Sequence, residues 1–303
     1  MTIVTNAGSN IAPEVAAHYG ISVLPVRIVA GNESRDVREV TLEDVDTWVR
    51  NESRFPYLLG TSAAEFAAHF LAVGKRDPNV LVLMTSRKLM QSYDSARAAV
   101  RTVKGHPQGE ALQLEVVDTA ATDVASGLSV IYAAEAQRAG QPFEALRGLT
   151  EAFAARVRSV FAVRTLENIT LGGRASFLKA WIANVLKVRP LLTFEDGEIV
   201  PMGRYPAEGD PVEFIVQGIV ERVGDSPGPI WLAIGHGGCP EDARRLTERL
   251  RARFDVQFVL HRSLAAGVYL HGGPGSLIAS VARLDGLPWE PTRCPPVSSV
   301  VSP

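Results

Sequence analysis

The sequence predicts a two-domain α/β fold, with a doubly wound, mostly parallel sheet in the N-terminal domain and a mixed sheet in the C-terminal α/β domain. Strand and helix patterns alternate through the first half, as they do in doubly wound domains. Residues 79–85 form an almost uninterrupted apolar run, which is typical of a strand buried in a parallel sheet, and residues 112–118 are predicted to be another buried strand. The turn pair Asp196-Gly197 indicates a hairpin in the second half. At 303 residues the chain exceeds the usual size of a single core.

The first half contains the elements of such a domain in order. Pro13 suits the first turn of a helix that ends near Gly20. Thr41 and Asp44 have the spacing of a capping box at the start of a second helix. Apolar periodicity and turn residues predict the other elements. The expected strands are 2–5, 21–29, 79–85 and 112–118, and the expected helices are 13–20, 41–48, 63–74, 89–103, one ending at 140 and one beginning at 141–142.

The second half follows a different order. It begins with a strand at 159–163, the Gly172-Gly173 break and a helix at 176–186. After the hairpin we expect helices at 211–223, 240–254 and 276–282, and strands at 229–235, 256–260 and 267–270. Residues 286–303 are rich in Pro, Ser and Val and predict a frayed tail. The expected domains are therefore 1–158 and 159–285, followed by the tail 286–303.

Composition excludes several functional classes. The net charge is −2, from 31 basic and 33 acidic residues without a long run of either sign, which argues against nucleic acid as the main partner. No apolar run approaches the roughly 20 residues of a spanning helix, so membrane insertion is not expected. The two cysteines have no metal-type spacing, and the N-terminus does not read as a signal peptide. A cytoplasmic protein without a resident metal or cofactor is the expectation.

Several sequence blocks, in order, are similar to those of the DegV family of bacterial lipid-binding proteins. The central block reads LENITLGGR, a helix, and KVRPLLTFEDG. The opening segment TNAGSN, the triplet Gly60-Thr61-Ser62, residues 86–96 and the motif HGGPG at 271–275 also match. The resemblance covers residues 2 to about 283. It implies a two-domain DegV-like fold and a long-chain fatty acid, or a related lipid, in a buried pocket between the domains.

The resemblance also implies which residues hold the lipid. Thr61, Ser62 and His271 match positions that bind the carboxyl group in the family, and Arg174 is expected to support the site. Ser92, Gly272 and Gly273 complete the expected ligand-binding set. The chain departs from the family at Met90, where the family has its head-group serine, and at Gln91, where it has glycine. The expected tail-lining residues on the helix at 176–186 are Phe177, Trp181, Ile182 and Leu186.

The family analogy extends to a partner. A DegV-type protein presents the carboxyl of its fatty acid to a separate fatty acid kinase, which makes acyl phosphate for phospholipid synthesis. The protein itself would then be a carrier without catalytic residues. Arg204, on the strand after the hairpin, is the residue that we expect to dock an acidic kinase surface.

Two other functional classes stay open at this point. Cys239 precedes Pro240 at a helix start and follows His236 by three residues, a position that can lower the pKa of a thiol. These two residues would then serve a cysteine-dependent hydrolase or transferase. The other alternative is a non-lipid interaction protein whose pocket has degenerated around Met90.

Overall fold

Three sheets and the helices around them make up the computed structural model, which describes residues 1–173 and 188–291. The strands are β1 (Thr2–Asn6), β2 (Ser22–Leu24), β3 (Val26–Ala30), β4 (Glu33–Asp36), β5 (Tyr57–Gly60), β6 (Asn79–Met84), β7 (Gln113–Asp118), β8 (Arg158–Ala162), β9 (Val188–Glu195), β10 (Glu198–Pro206), β11 (Pro229–His236), β12 (Asp255–Ser263) and β13 (Leu277–Arg283). The α-helices are α1 (Pro13–Tyr19), α2 (Leu42–Asn51), α3 (Ala63–Gly74), α4 (Ser92–Lys104), α5 (Asp123–Arg138), α6 (Phe143–Ala154), α7 (Glu167–Leu171), α8 (Pro211–Val223), α9 (Pro240–Arg251) and α10 (Ala266–Gly272).

The N-terminal half contains a four-stranded parallel sheet in the order β2-β1-β6-β7. Successive residues of β6 point to opposite faces. Val80 and Val82 pack with α3 and α4, whereas Leu81 and Leu83 pack with α5 and α6. Because both faces are covered, β6 is buried along almost its whole length. The predicted doubly wound arrangement is confirmed.

The C-terminal half contains a six-stranded mixed sheet in the order β10-β9-β8-β13-β11-β12. Helices α8 and α9 cover one face. The other face packs on α5, in which every residue from Asp123 to Ala136 is buried. Helix α5 therefore belongs to the core of both halves. The predicted mixed sheet and the hairpin at Asp196-Gly197 are confirmed.

A third sheet, β4-β3-β5, was not predicted from the sequence. The expected strand at 21–29 is in fact two strands separated by Pro25. Strand β2 pairs with β1 in the parallel sheet, and β3 pairs antiparallel with β4 and β5. Proline has no N–H to donate to a sheet, so Pro25 marks the point where the chain changes sheets. The third sheet brings the end of β5 beside the start of α4.

Two short elements near the C-terminus were predicted wrongly. Residues 267–270 form part of helix α10, which packs against α2 and α7, and residues 276–282 are almost entirely in strand β13. Strand β13 pairs with β8 and β11 in the middle of the mixed sheet, so its backbone groups are satisfied by long-range neighbours. Periodicity does not separate strand from helix in such short apolar runs. Helix α4 also begins three residues later than expected, at Ser92.

Predictions that depended on neighbouring residues were more accurate than predictions that depended on long-range pairing. The capping box of Thr41 and Asp44 is present, and a second one joins Ser62 and Glu65 at the start of α3. The division of the chain after residue 158, and the tail from 286, stay predictions. The expected helix at 176–186 lies outside the described residues.

Candidate functional site

Polar side chains gather at the carboxyl edge of the parallel sheet, where ligands bind in open α/β folds. Asn6 ends β1, Thr85 follows β6, and the Asn6 Nδ2 group donates a hydrogen bond to Thr85 Oγ1 at 3.3 Å. Asn6 is fully buried, and its Oδ1 atom accepts no hydrogen bond in the described structure. A buried acceptor without a partner is costly, so this edge is ready to receive a donor.

A cleft of about 570 Å³ opens beside this edge, which we call the polar cleft. Its walls are residues 58–63, residues 87–92, Ser95 and Gly173. Ser92 is 1% exposed, and its hydroxyl has no hydrogen-bond partner among the residues that the structure describes. A Cβ atom at Gly60 would lie 2.6 Å from Ser92 Oγ, so the absent side chain at Gly60 leaves room for this hydroxyl. Ser92 is thus a buried residue in the wall of the cleft whose hydroxyl is not used by the described residues.

Met90 separates Asn6 from the polar cleft. The Met90 side chain lines the cleft, and its Sδ atom lies 4.0 Å from Asn6 Nδ2. A thioether is only a weak acceptor, so Met90 adds apolar surface where a serine would add a donor. The position that departs from the family pattern therefore lies in the wall of the cleft itself.

Thr61 and Ser62 both line the polar cleft, but their hydroxyl protons are already engaged. The Thr61 hydroxyl donates to the Pro25 carbonyl at 2.7 Å. The Ser62 hydroxyl donates to Glu65 Oε2 at 2.7 Å and accepts from the Glu65 N–H at 3.2 Å. These bonds hold β5 to the β2–β3 corner and cap α3. Both residues thus have structural roles, and their roles in ligand binding stay predictions.

A second, apolar cavity of about 50 Å³ lies between the mixed sheet, the β9–β10 hairpin and the start of α5. His271 and Gly272, at the end of α10, form part of its wall. Ser276 closes the turn after this helix by donating its hydroxyl proton to the Gly273 carbonyl at 2.5 Å. Most of the remaining wall is apolar and comprises Phe161, Val163, Ile169, Phe194, Ile199, Val268 and Ile278.

The Gly172-Gly173 turn lies between the polar cleft and the apolar cavity. Gly173, with φ of +70°, lines the polar cleft. Gly172 packs so closely on the His271 imidazole that a Cβ atom there would overlap the ring. The predicted ligand residues on β5, α4 and α10 thus converge on one region. Arg174 and the expected tail-lining residues Phe177, Trp181, Ile182 and Leu186 lie outside the described residues.

Asp123, a residue that sequence reasoning missed, joins the two halves beside the apolar cavity. Its carboxylate is fully buried and accepts hydrogen bonds from Asn10 Nδ2, Val124 N and Ala265 N at 2.9–3.0 Å. Burial raises the pKa of Asp123 to about 6, an effect that these N–H donors and the charge of Arg262 partly offset. No sequence motif marked this residue, because its partners come from remote loops.

The alternative based on Cys239 finds little support in the structure. The thiol is partly buried and donates to the Ser276 carbonyl, with Sγ and O 3.4 Å apart. Burial, together with the nearby charge of Asp242, raises the pKa of Cys239 to about 11. The thiolate that nucleophilic catalysis needs is therefore scarce at neutral pH. Burial also lowers the pKa of His236.

Residues 1–173 and 188–291 lack two features that other functional classes would need. These residues contain no group of three or more His, Cys, Asp or Glu side chains placed to hold a metal ion. They also contain no helix with the length and apolar character needed to cross a membrane. Arg204, the predicted docking residue, is exposed on β10.

Comparisons with known proteins agree with this architecture. A family model described as "Uncharacterised protein, DegV family" matches residues 1–283. A DegV domain-containing protein of Streptomyces coelicolor is 26% identical over 281 residues, which cover 91% of this chain and 96% of the relative. Protein DegV of Bacillus subtilis is 24% identical over 280 residues, with 91% and 97% covered.

Solved structures match over the same length. A DegV family protein of Thermus thermophilus, described by its fatty acid binding, is 26% identical with a TM-score of 0.85, over 93% of this chain and 99% of the other. A stearic acid-binding protein of Eubacterium ventriosum shares the fold, with a TM-score of 0.81 at 19% identity over 93% and 97%. The family model spans nearly the whole sequence, and this chain therefore belongs to the DegV family.

Proposed function

We propose that the protein binds a long-chain fatty acid, or a related lipid, and carries it without chemical change. The tail would enter the apolar cavity, and the carboxyl would lie at the polar cleft. The observation on which this proposal rests is the junction of an apolar cavity and a polar cleft at one glycine turn. The fatty acid binding of the Thermus thermophilus relative, 26% identical over 93% of this chain, supports the same ligand class.

The tail is the part of the ligand that contributes most to affinity. Each buried methylene stabilises the complex by about 0.8 kcal/mol. The apolar cavity of about 50 Å³ is smaller than the roughly 300–1,000 Å³ of ordinary ligand pockets. We therefore propose that Phe177, Trp181, Ile182 and Leu186 complete the wall around the tail.

The head group is proposed to accept a hydrogen bond from Ser92, because this buried hydroxyl has a proton to donate and no partner within residues 1–173 and 188–291. His271 would contact it from the other side of the Gly172-Gly173 turn, and Arg174 would add a positive charge. Thr61 and Ser62 would line the site, with Thr61 able to accept through its free lone pairs. The backbone at Gly272 and Gly273 would allow close approach of the ligand.

The decisive measurement is native mass spectrometry of freshly purified protein, followed by extraction of the bound molecule. We expect one fatty acid per chain in the wild type. His271→Ala should weaken fatty acid binding at least about tenfold, because a hydrogen bond to a charged group is lost. His106→Ala, at an exposed position, should leave occupancy unchanged. Wild-type protein that is empty and ignores added fatty acids would refute the proposal.

The partner is proposed to be a fatty acid kinase that receives the carboxyl for acyl phosphate formation, in the cytoplasm. Arg204→Glu should weaken kinase binding about tenfold, since it places a negative charge against an acidic surface. Arg251→Glu makes the same charge change at an exposed position on α9 and should have no effect. Surface plasmon resonance with immobilised kinase would measure both. Equal affinities for wild type and Arg204→Glu would exclude this docking site, while fatty acid occupancy would be unaffected.

A further inference from the structure

A third cavity, which we call the arginine cleft, shares Phe194 with the apolar cavity and is otherwise lined by different residues. Its volume is about 500 Å³. The loop after β7, the α6–β8 connection, the turn of the β9–β10 hairpin and Arg222 of α8 form its walls. Much of its surface comes from small or apolar side chains, among them Ala120, Ala121, Ala154, Ala155, Val157 and Phe194. Arg158 and Arg222 supply its positive charge.

Arg158 has no carboxylate partner in the described parts of the chain. Its Nη1 group donates to the carbonyls of Ala155 at 2.7 Å and Val157 at 3.2 Å, beyond the end of α6. Contact with carbonyls at a helix C-terminus explains the position of this one group. The Nε and Nη2 donors have no hydrogen-bond partner in residues 1–173 and 188–291. A half-buried guanidinium thus retains unused donors beside a cleft.

Arg222, on helix α8, also has a hydrogen-bond donor that the described residues do not use. Its Nη1 atom lies 3.3 Å from Glu195 Oε1, and its buried Nε donor has no partner in the described part of the chain. Burial and the charge of Arg222 both lower the pKa of Arg158, so the two guanidinium groups repel each other. The carboxylates at this cleft are Glu195 and Asp196 in the hairpin turn. The Glu195 side chain is 57% exposed and can turn into solvent when another anion takes its place.

We propose that the arginine cleft binds a phosphate group, either free phosphate or the phosphate monoester of a small molecule. The planar guanidinium groups of the two arginines can each donate hydrogen bonds to the oxygens of a tetrahedral phosphate dianion. The negative charge of the bound dianion would also relieve the repulsion between the two arginines. The volume falls within the range of ordinary small-molecule sites. The small apolar walls leave room for the organic part of a monoester. Phe194 lines both this cleft and the apolar cavity, but Arg158 and Arg222 are not among the residues assigned to the lipid.

Isothermal titration calorimetry of the full chain with inorganic phosphate and with phenyl phosphate tests this proposal. We expect saturable binding of at least one probe, and binding at least about tenfold weaker in both Arg158→Gln and Arg222→Gln. Arg253→Gln is the matched control, because Arg253 already pairs with Asp225 on the surface of the same half. It should bind the probes as the wild type does.

The outcomes separate the two phosphate sources. Tighter binding of phenyl phosphate supports a monoester ligand, and equal binding supports free phosphate. Absence of saturable binding, or binding that neither arginine variant weakens, would overturn the proposal. Thermal unfolding of each variant shows whether the fold is intact, and the second arginine variant keeps the test decisive if the first does not fold.

Discussion

Asp123→Asn is expected to change the pH dependence of stability more than substitution of any exposed carboxylate. The pKa of Asp123 is raised from 3.8 to about 6 in the folded protein, chiefly by burial. The folded state therefore binds the proton more tightly than the unfolded state. The stabilisation from this proton is fully present below 3.8 and is lost as the pH rises through about 6. The difference in pKa corresponds to on the order of 3 kcal/mol.

The expected result is a difference between two stability profiles. Chemical unfolding of wild type and Asp123→Asn is measured from about pH 4 to about pH 7. Over this window the wild type should lose about 2 kcal/mol relative to the variant, because the unfolded state is already partly ionised at pH 4. Glu14→Gln, an exposed carboxyl-to-amide change on α1, controls for the loss of a negative charge. Parallel profiles for wild type and Asp123→Asn would show that Asp123 does not titrate in this range.

Gly172→Ala is expected to abolish most lipid binding without preventing folding. The φ angle of Gly172 is −73°, so an alanine adopts this backbone without strain. The new methyl group would overlap the His271 imidazole, which has to move away. Because His271 lies in the wall of the apolar cavity, we expect fatty acid affinity to fall at least tenfold. Overpacking should cost only about 1–3 kcal/mol of stability.

Gly148→Ala is the matched control for this experiment. Gly148 lies within α6, and apart from its chain neighbours and the backbone of the helix itself, no described atom lies within 4 Å of a Cβ built there. Alanine favours helix, so this variant should be slightly more stable and bind lipid normally. Fluorescence displacement of a bound fatty acid analogue would measure both variants. Wild-type affinity in Gly172→Ala would show that the position of His271 is unimportant for the ligand.

The sequence alone was sufficient to predict local structural features and the family. Apolar runs identified the buried parallel strands, Asp196-Gly197 identified the hairpin, and Thr41 with Asp44 identified a capping box. Ordered motifs, from the opening segment to HGGPG, identified the DegV family, which the family model confirms. These signals depend on neighbours within a few residues, so one sequence is sufficient to interpret them.

Long-range partners were decided only by the tertiary structure. Residues 276–282 lie almost entirely in a strand because β8 and β11 pair with β13 on both sides, a fact that no local pattern contains. Thr61 and Ser62 were predicted from the resemblance to bind the carboxyl group, and only the structure shows that their hydroxyl protons go to Pro25 and Glu65. The buried Ser92 hydroxyl and the buried Asp123 carboxylate arise from contacts between remote segments. Burial and hydrogen-bond partners decide what a side chain does, and both are properties of the folded chain.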